Sequence, residues 1–217
     1  MSRLRVVNLG LPKSGTTTLG QALTQAGLRV ADWKIRKGQS DKDALRGEFV
    51  ATCLYRGYFE KGDPLAILDE FDAFTEISTI SKGLNMWPQF DFGLLSEIDK
   101  RHSGAKFILS MRPAEKIVDS MMRWSNLGTG RLPNNSVPGL PKGFGTNRDQ
   151  LVRWVNGHYN FVRKSFGSQN NFLEYSIDDP KAPKIIGDFL GIELPWWGRS
   201  NENKNSASEG AVKGKDE

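Results

Sequence analysis

Cysteine is nearly absent. Cys53 is the only one in 217 residues, so no internal disulfide can form, and two histidines, His102 and His158, leave no Cys/His cluster with the spacing of a zinc site. A lone cysteine of this kind reads as a small core residue. No apolar run approaches the roughly 18 residues that a membrane helix needs, and the one near the N-terminus is too short for a signal peptide. These absences predict a cytoplasmic protein with no membrane span. Neither sign of charge dominates: 30 Lys and Arg against 25 Asp and Glu leave a formal net charge of +5 and a sequence pI near 9.3. That excess favours anionic ligands and is too mild to argue for nucleic acid. No internal repeat is visible. The length suits one domain of roughly 100–200 residues, taken as residues 1–200, and the polar, almost apolar-free tail 201–217 is expected to be disordered.

Short apolar runs rich in β-branched residues alternate with longer stretches of helical period. The strand-like runs are Arg5–Leu9, Leu28–Asp32, Asp72–Ile77, Lys106–Met111 and Phe172–Tyr175. Between them, helices are expected from Thr16 to Ala26, through most of Asp41–Phe71 with breaks at Gly62 and Pro64, over Leu94–His102, after Pro113, over Arg148–Phe166 and over Lys181–Leu190. Such alternation is the rhythm of a three-layer α/β/α sandwich around a central, mainly parallel sheet. The KFILSM run is nearly continuous in apolar residues, as an inner strand covered on both faces should be. Residues Asn126–Thr146 are rich in Gly, Pro and Asn and form a long irregular segment, which reads either as a lid carrying Arg131 and Lys142 or as a solvated loop.

One further absence is informative. The stretch NLGLPKSGTTTLG, Asn8–Gly20, stands between the first strand and the first helix, where a phosphate-binding loop of a P-loop-type fold belongs. Gly10 and Gly15 keep the spacing of GxxxxGK[ST], but Thr16 occupies the lysine position and Lys13 sits inside the loop. The glycines allow turns that aim backbone amides at one anion, the helix end adds its positive pole, and Thr16, Thr17 and Thr18 supply hydroxyls. A Gly-rich turn with N-capping threonines accounts for the glycines and leaves the lysine unexplained. In nucleoside-triphosphate loops the lysine reaches the β- and γ-phosphates. Lys13 is placed instead to touch an oxygen bridging a phosphate and its leaving group.

PKSGTT resembles the 5′-phosphosulfate loop of the sulfotransferases that use 3′-phosphoadenylyl sulfate (PAPS). That family also has an arginine ending a strand and a serine eight positions later, which together bind the 3′-phosphate. KFILSMRPAEKIVDS supplies both as Arg112 and Ser120. The resemblance in outline covers roughly residues 3–205, but only these two motifs are specific. The family's C-terminal RKGxxGDWKxxF loop is missing; GRSNENKN occupies its place, where Arg199 either closes over the 3′-phosphate or belongs to a departing tail. The resemblance implies transfer of a sulfuryl group from PAPS to a hydroxyl or amine of a small-molecule, lipid or carbohydrate acceptor, leaving adenosine 3′,5′-bisphosphate. It implies Lys13 as the catalytic cation, Ser14, Gly15, Thr16, Thr17 and Thr18 around the 5′-phosphate, and no metal.

The acceptor also needs a base. Glu76, at the carboxyl end of its strand, is the first candidate and Asp32 the second, since parallel α/β sheets place ligands along that edge. His158 reads first as a packing residue and His102 as a helix-end residue. Trp33 and Trp124 are candidates to line an acceptor pocket or stack on adenine, while Trp87, Phe90, Phe92, Trp154, Trp196 and Trp197 read mostly as core. Two other functions fit the same fold: a small P-loop kinase using ATP and magnesium, and a non-catalytic binder of nucleotide or polyanion.

Overall fold

Every residue of the first strand, β1 (Arg5–Asn8), is buried, because it lies in the middle of a sheet covered on both faces. The computed structural model describes residues 2–198. In it, β1 is followed by α1 (Thr16–Gln25), β2 (Val30–Ala31), α2 (Val50–Arg56), β3 (Ala73–Phe74), a hairpin of β4 (Thr79–Ser81) and β5 (Leu84–Met86), and α3 (Phe92–Arg101). Then come β6 (Ala105–Met111), α4 (Ala114–Arg123), α5 (Arg148–Phe166), β7 (Phe172–Ser176) and α6 (Ala182–Leu190). The main sheet has the order β2-β3-β1-β6-β7, and every pair in it is parallel.

The two-residue period of a strand sorts the core into two layers. Val6 and Ile108 point to one face and pack with Leu19 and Leu23 of α1 and Ile186 and Leu190 of α6. Val7, Phe107 and Leu109 point to the other, against Leu54 of α2, Leu95 of α3, Val118 of α4 and Val155 of α5. The result is an α/β/α sandwich. From β1 the chain passes to one side of the sheet for β2 and β3, then crosses to the other for β6 and β7. The loop after β1 therefore opens at the point where the strand order reverses, the place where such sheets form a crevice at their carboxyl edge.

Several expectations are corrected. Asp41–Phe71 is not mostly helical: α2, a short turn at Asp43–Leu45 and a continuation at Gly57–Lys61 are its helical parts. Gly62, at φ 67°, ends that continuation. The carbonyls of Asp69, Glu70 and Phe71 accept from the Arg3 and Arg5 guanidinium groups rather than from a helical ladder. The second and third strands are only two residues long. Thr75 carries its N–H to Ala31 O but gives its carbonyl to Asn8 Nδ2 (2.8 Å), so the chain leaves the sheet there and brings Glu76 over the loop.

The β4–β5 hairpin was not expected. Its turn, Lys82 and Gly83 at φ 54° and 79°, has the two left-handed residues that match strand twist. Segment 126–146 is a packed wall rather than a free loop. Leu127, Leu132, Val137 and Leu140 are buried, Asn85 Nδ2 donates to Ser136 O (2.7 Å), and Trp154 Nε1 donates to Pro138 O (2.8 Å). Among the described residues no helix is long and apolar enough to cross a membrane.

Candidate active site at the carboxyl edge of the sheet

The loop is built by what its neighbours leave room for. Asn8, fully buried at the end of β1, accepts from the N–H groups of Gly10 (3.1 Å) and Ser110 (3.2 Å) while donating to Thr75 O, and so ties three strands together under the loop. A Cβ on Gly10 would lie 2.9 Å from Ser110 O and collide with the Ser14 and Ser110 hydroxyls, which are themselves paired at 2.7 Å. Lys13 takes a left-handed backbone at φ 75°, and Gly15 follows at φ 104° as N-cap of α1. No side chain caps that helix and its first turn holds no acidic residue. Its open amides and positive pole suit an anion.

Lys13 is half-buried, and its Nζ stands 3.5 Å from the centroid of the Trp124 ring. It forms no ion pair with a carboxylate among the described residues. Burial lowers its pKa most; the Glu76 charge opposes this and the Arg112 charge adds to it. Glu76 Oε2 accepts from Thr16 Oγ1 at 2.9 Å. The side chain at the old lysine position thus holds the first base candidate. Burial, reinforced by Asp32, pushes the Glu76 carboxyl up to about 7, against the Thr16 hydrogen bond and the charges of Lys13 and Arg131. A carboxyl so placed can exchange a proton near neutrality.

Asp32 lies beside this pair but is engaged. It accepts from Trp33 N at 2.7 Å and from Arg36 Nη2 at 3.0 Å. Ser14, Thr16 and Thr18 are buried, whereas Thr17 faces solvent.

Arg112 leaves β6 directly, and Ser120 is buried on α4 behind it. Tyr159, on α5, clasps the Arg112 backbone: its hydroxyl donates to Arg112 O (2.9 Å) and accepts from Arg112 N (3.3 Å). The Arg112 guanidinium is 3.9 Å from Asp178 Oδ1, and its Nε is buried without a partner. Tyr159 had no signal in the sequence beyond its place on an amphipathic helix.

Among the remaining candidates, His158 is buried with its Nε2 2.7 Å from Leu9 O, donating to the first residue of the loop, and burial pushes its pKa down to about 4. The neutral ring is packed against Phe90, 4.3 Å between centroids. His102 pairs with Asp63 at 2.9 Å, next to the N-terminal end of β6 and away from the loop. Trp33 packs on Phe49. Phe92, read as core, is exposed. Arg199 and the tail 201–217 lie outside the described residues.

Residues 5–132, from β1 through the loop, Glu76, Arg112 and Ser120 to the end of the turn after α4, match the family model described as the sulfotransferase domain. No curated protein matches the chain. The family match spans more than half of the 217 residues and contains the loop, Glu76, Arg112 and Ser120, though not Tyr159 or Asp178, and on that ground the chain belongs to the sulfotransferase-domain family.

Proposed function

We propose that the protein is a PAPS-dependent sulfotransferase acting on a hydroxyl or amine. The observation that carries this reading is Lys13, an ammonium without a carboxylate partner, held in the mouth of a loop whose α1 amides are uncapped. The Arg112 guanidinium, beyond β6 and only loosely paired with Asp178 at 3.9 Å, fits a second phosphate. PAPS, once bound, supplies an activated sulfuryl group whose departure leaves a phosphate oxygen negative.

The residues then divide the work. Loop amides from Gly15 to Thr17 hold the 5′-phosphate, the Ser14 amide being bonded to Leu11 O, and Arg112, fixed by Tyr159, contacts the 3′-phosphate through its guanidinium in a way that lysine could not reproduce. Lys13 leaves the Trp124 ring to meet the charge that develops on the bridging oxygen as its bond to sulfur breaks. Glu76 takes the proton from the acceptor atom as that atom bonds to sulfur. The products are the sulfated acceptor and adenosine 3′,5′-bisphosphate.

Asp32, tied to Arg36, is left the role of raising the Glu76 pKa. The test is incubation with sulfur-labelled PAPS and a panel of phenols, sugars and amines. Label transferred to an acceptor, with adenosine 3′,5′-bisphosphate released, supports the reading. Magnesium-dependent ATP consumption with the same panel, and none of PAPS, would replace it by a kinase.

A further inference from the structure

Three cations stand around the Glu76 carboxyl and the loop mouth: Lys13, Arg112 and Arg131. The two phosphates of the donor account for the first two and leave Arg131 without a role. It ends the five-residue turn Leu127–Arg131, which is anchored to α4 where Leu127 N donates to Trp124 O (3.0 Å), beside the indole that covers Lys13. Its side chain crosses to the other wall of the mouth and donates from Nη1 to Ile80 O of β4 at 3.1 Å. Arg131 is therefore fixed between the element that carries Trp124 and the one that follows Glu76.

What it lacks is an anion. Arg131 forms no ion pair with any carboxylate among the described residues, and its Nε is closed off from water without a hydrogen-bond partner. Glu76 acts on it only at a distance, its own hydrogen bond being to Thr16. Arg131 is part-buried, and a guanidinium nitrogen buried without a partner is a cost the free protein bears. With Nη1 taken by Ile80 and Nε buried, Nη2 is the guanidinium nitrogen left open to meet an anion with a charged hydrogen bond.

We propose that Arg131 anchors an oxyanion of the acceptor, so that the acceptor is an acidic molecule, a carboxylate-bearing phenol, sugar or aliphatic alcohol, rather than a neutral one. The word acceptor rests on the sulfuryl-transfer reading; the anion site itself does not.

The experiment is calorimetric titration of matched acid and amide pairs into wild-type and Arg131→Gln protein saturated with adenosine 3′,5′-bisphosphate. The probes are 4-hydroxybenzoate and 4-hydroxybenzamide, glucuronate and glucuronamide, and 4-hydroxybutyrate and 4-hydroxybutyramide. At least one acid should bind about ten-fold tighter than its amide. Arg131→Gln should reduce that preference to within about two-fold while its affinity for the bisphosphate stays as in wild type, which also shows that the variant folds. Arg131→Lys should restore part of the preference, as a point charge in place of the fixed guanidinium. The proposal is overturned if no acid outbinds its amide, absence of all binding included, or if the preference survives Arg131→Gln. Should the bisphosphate itself fail to bind wild-type protein, the sulfuryl-transfer reading falls. The same pairs titrated into the free protein then still decide the anion site by the same outcomes.

Discussion

In the proposed reaction, Lys13 and Glu76 carry the chemistry at the scale of single residues. The lysine rests on an aromatic face, and cation–π contacts of this kind are worth about 0.5–2 kcal/mol, weak enough for a phosphate oxygen to displace. Lys13→Ala should lower turnover by about 100-fold, the scale of losing one donor to developing charge. Affinity for adenosine 3′,5′-bisphosphate should be little changed, because the loop amides remain. Calorimetry and initial rates on the same preparation separate the two effects, and unchanged turnover would remove Lys13 from the mechanism.

Glu76 must be deprotonated to act. With its carboxyl raised to about 7, the rate should climb as the pH rises through about 7 and level off above it. Asp32→Asn removes a charge that helps raise this pKa, so the midpoint of the rise should move to lower pH. A pH–rate profile that is flat between 5 and 9, or one unmoved by Asp32→Asn, would contradict the assignment of Glu76 as the base.

At the scale of elements, the loop, its two flanking strands and the edge strand β7 were legible, and the short extent of β2 and β3 was not. β1 and β6 announce themselves as continuous apolar runs because both their faces are buried. β2 and β3 each keep only two laddered residues. No periodicity in DAFTEI could reveal that Asn8 takes the Thr75 carbonyl and pulls Glu76 out of the strand. The hairpin at Thr79–Met86 did carry a signal, the Lys82-Gly83 pair between two short strand-like triplets, which is the composition of a two-residue turn. The arginine clamps on Asp69–Phe71 and the Tyr159 clasp on Arg112 are contacts between residues at least 47 positions apart and leave no local trace.

Two predictions belong to these elements. Gly10→Ala should destabilise the fold by about 1–3 kcal/mol, since the new methyl meets Ser110 of β6 and the Ser14 hydroxyl with nowhere to move. Denaturant unfolding measures it, and a change below a few tenths of a kcal/mol would mean that the loop and β6 are not packed as described. Arg112→Ala should weaken binding of adenosine 3′,5′-bisphosphate while leaving adenosine 5′-phosphate nearly unaffected. Equal losses for both nucleotides would show that the β6–α4 junction does not read the 3′-phosphate.

For the whole molecule, the order β2-β3-β1-β6-β7 brings residues separated by up to 118 positions to one edge, where Lys13, Glu76, Arg112 and Arg131 stand. The chain's modest net charge of +5 is therefore a poor guide to the site, where the cations are gathered and their carboxylate partners are few. The fold class and the family followed from the alternation of runs and from two motifs. The wall formed by residues 126–146 did not, because Gly, Pro and Asn composition describes an irregular backbone equally well whether it is packed or solvated.

The most direct test of the central claim is a magnesium-free calorimetric titration of the purified protein with adenosine 3′,5′-bisphosphate, set beside adenosine 5′-phosphate and ATP. Tight binding of the bisphosphate, weaker by at least ten-fold when the 3′-phosphate is missing, is the predicted result. A preference for ATP that appears only with magnesium would contradict the account and make the displaced lysine a variant of an ordinary nucleotide loop.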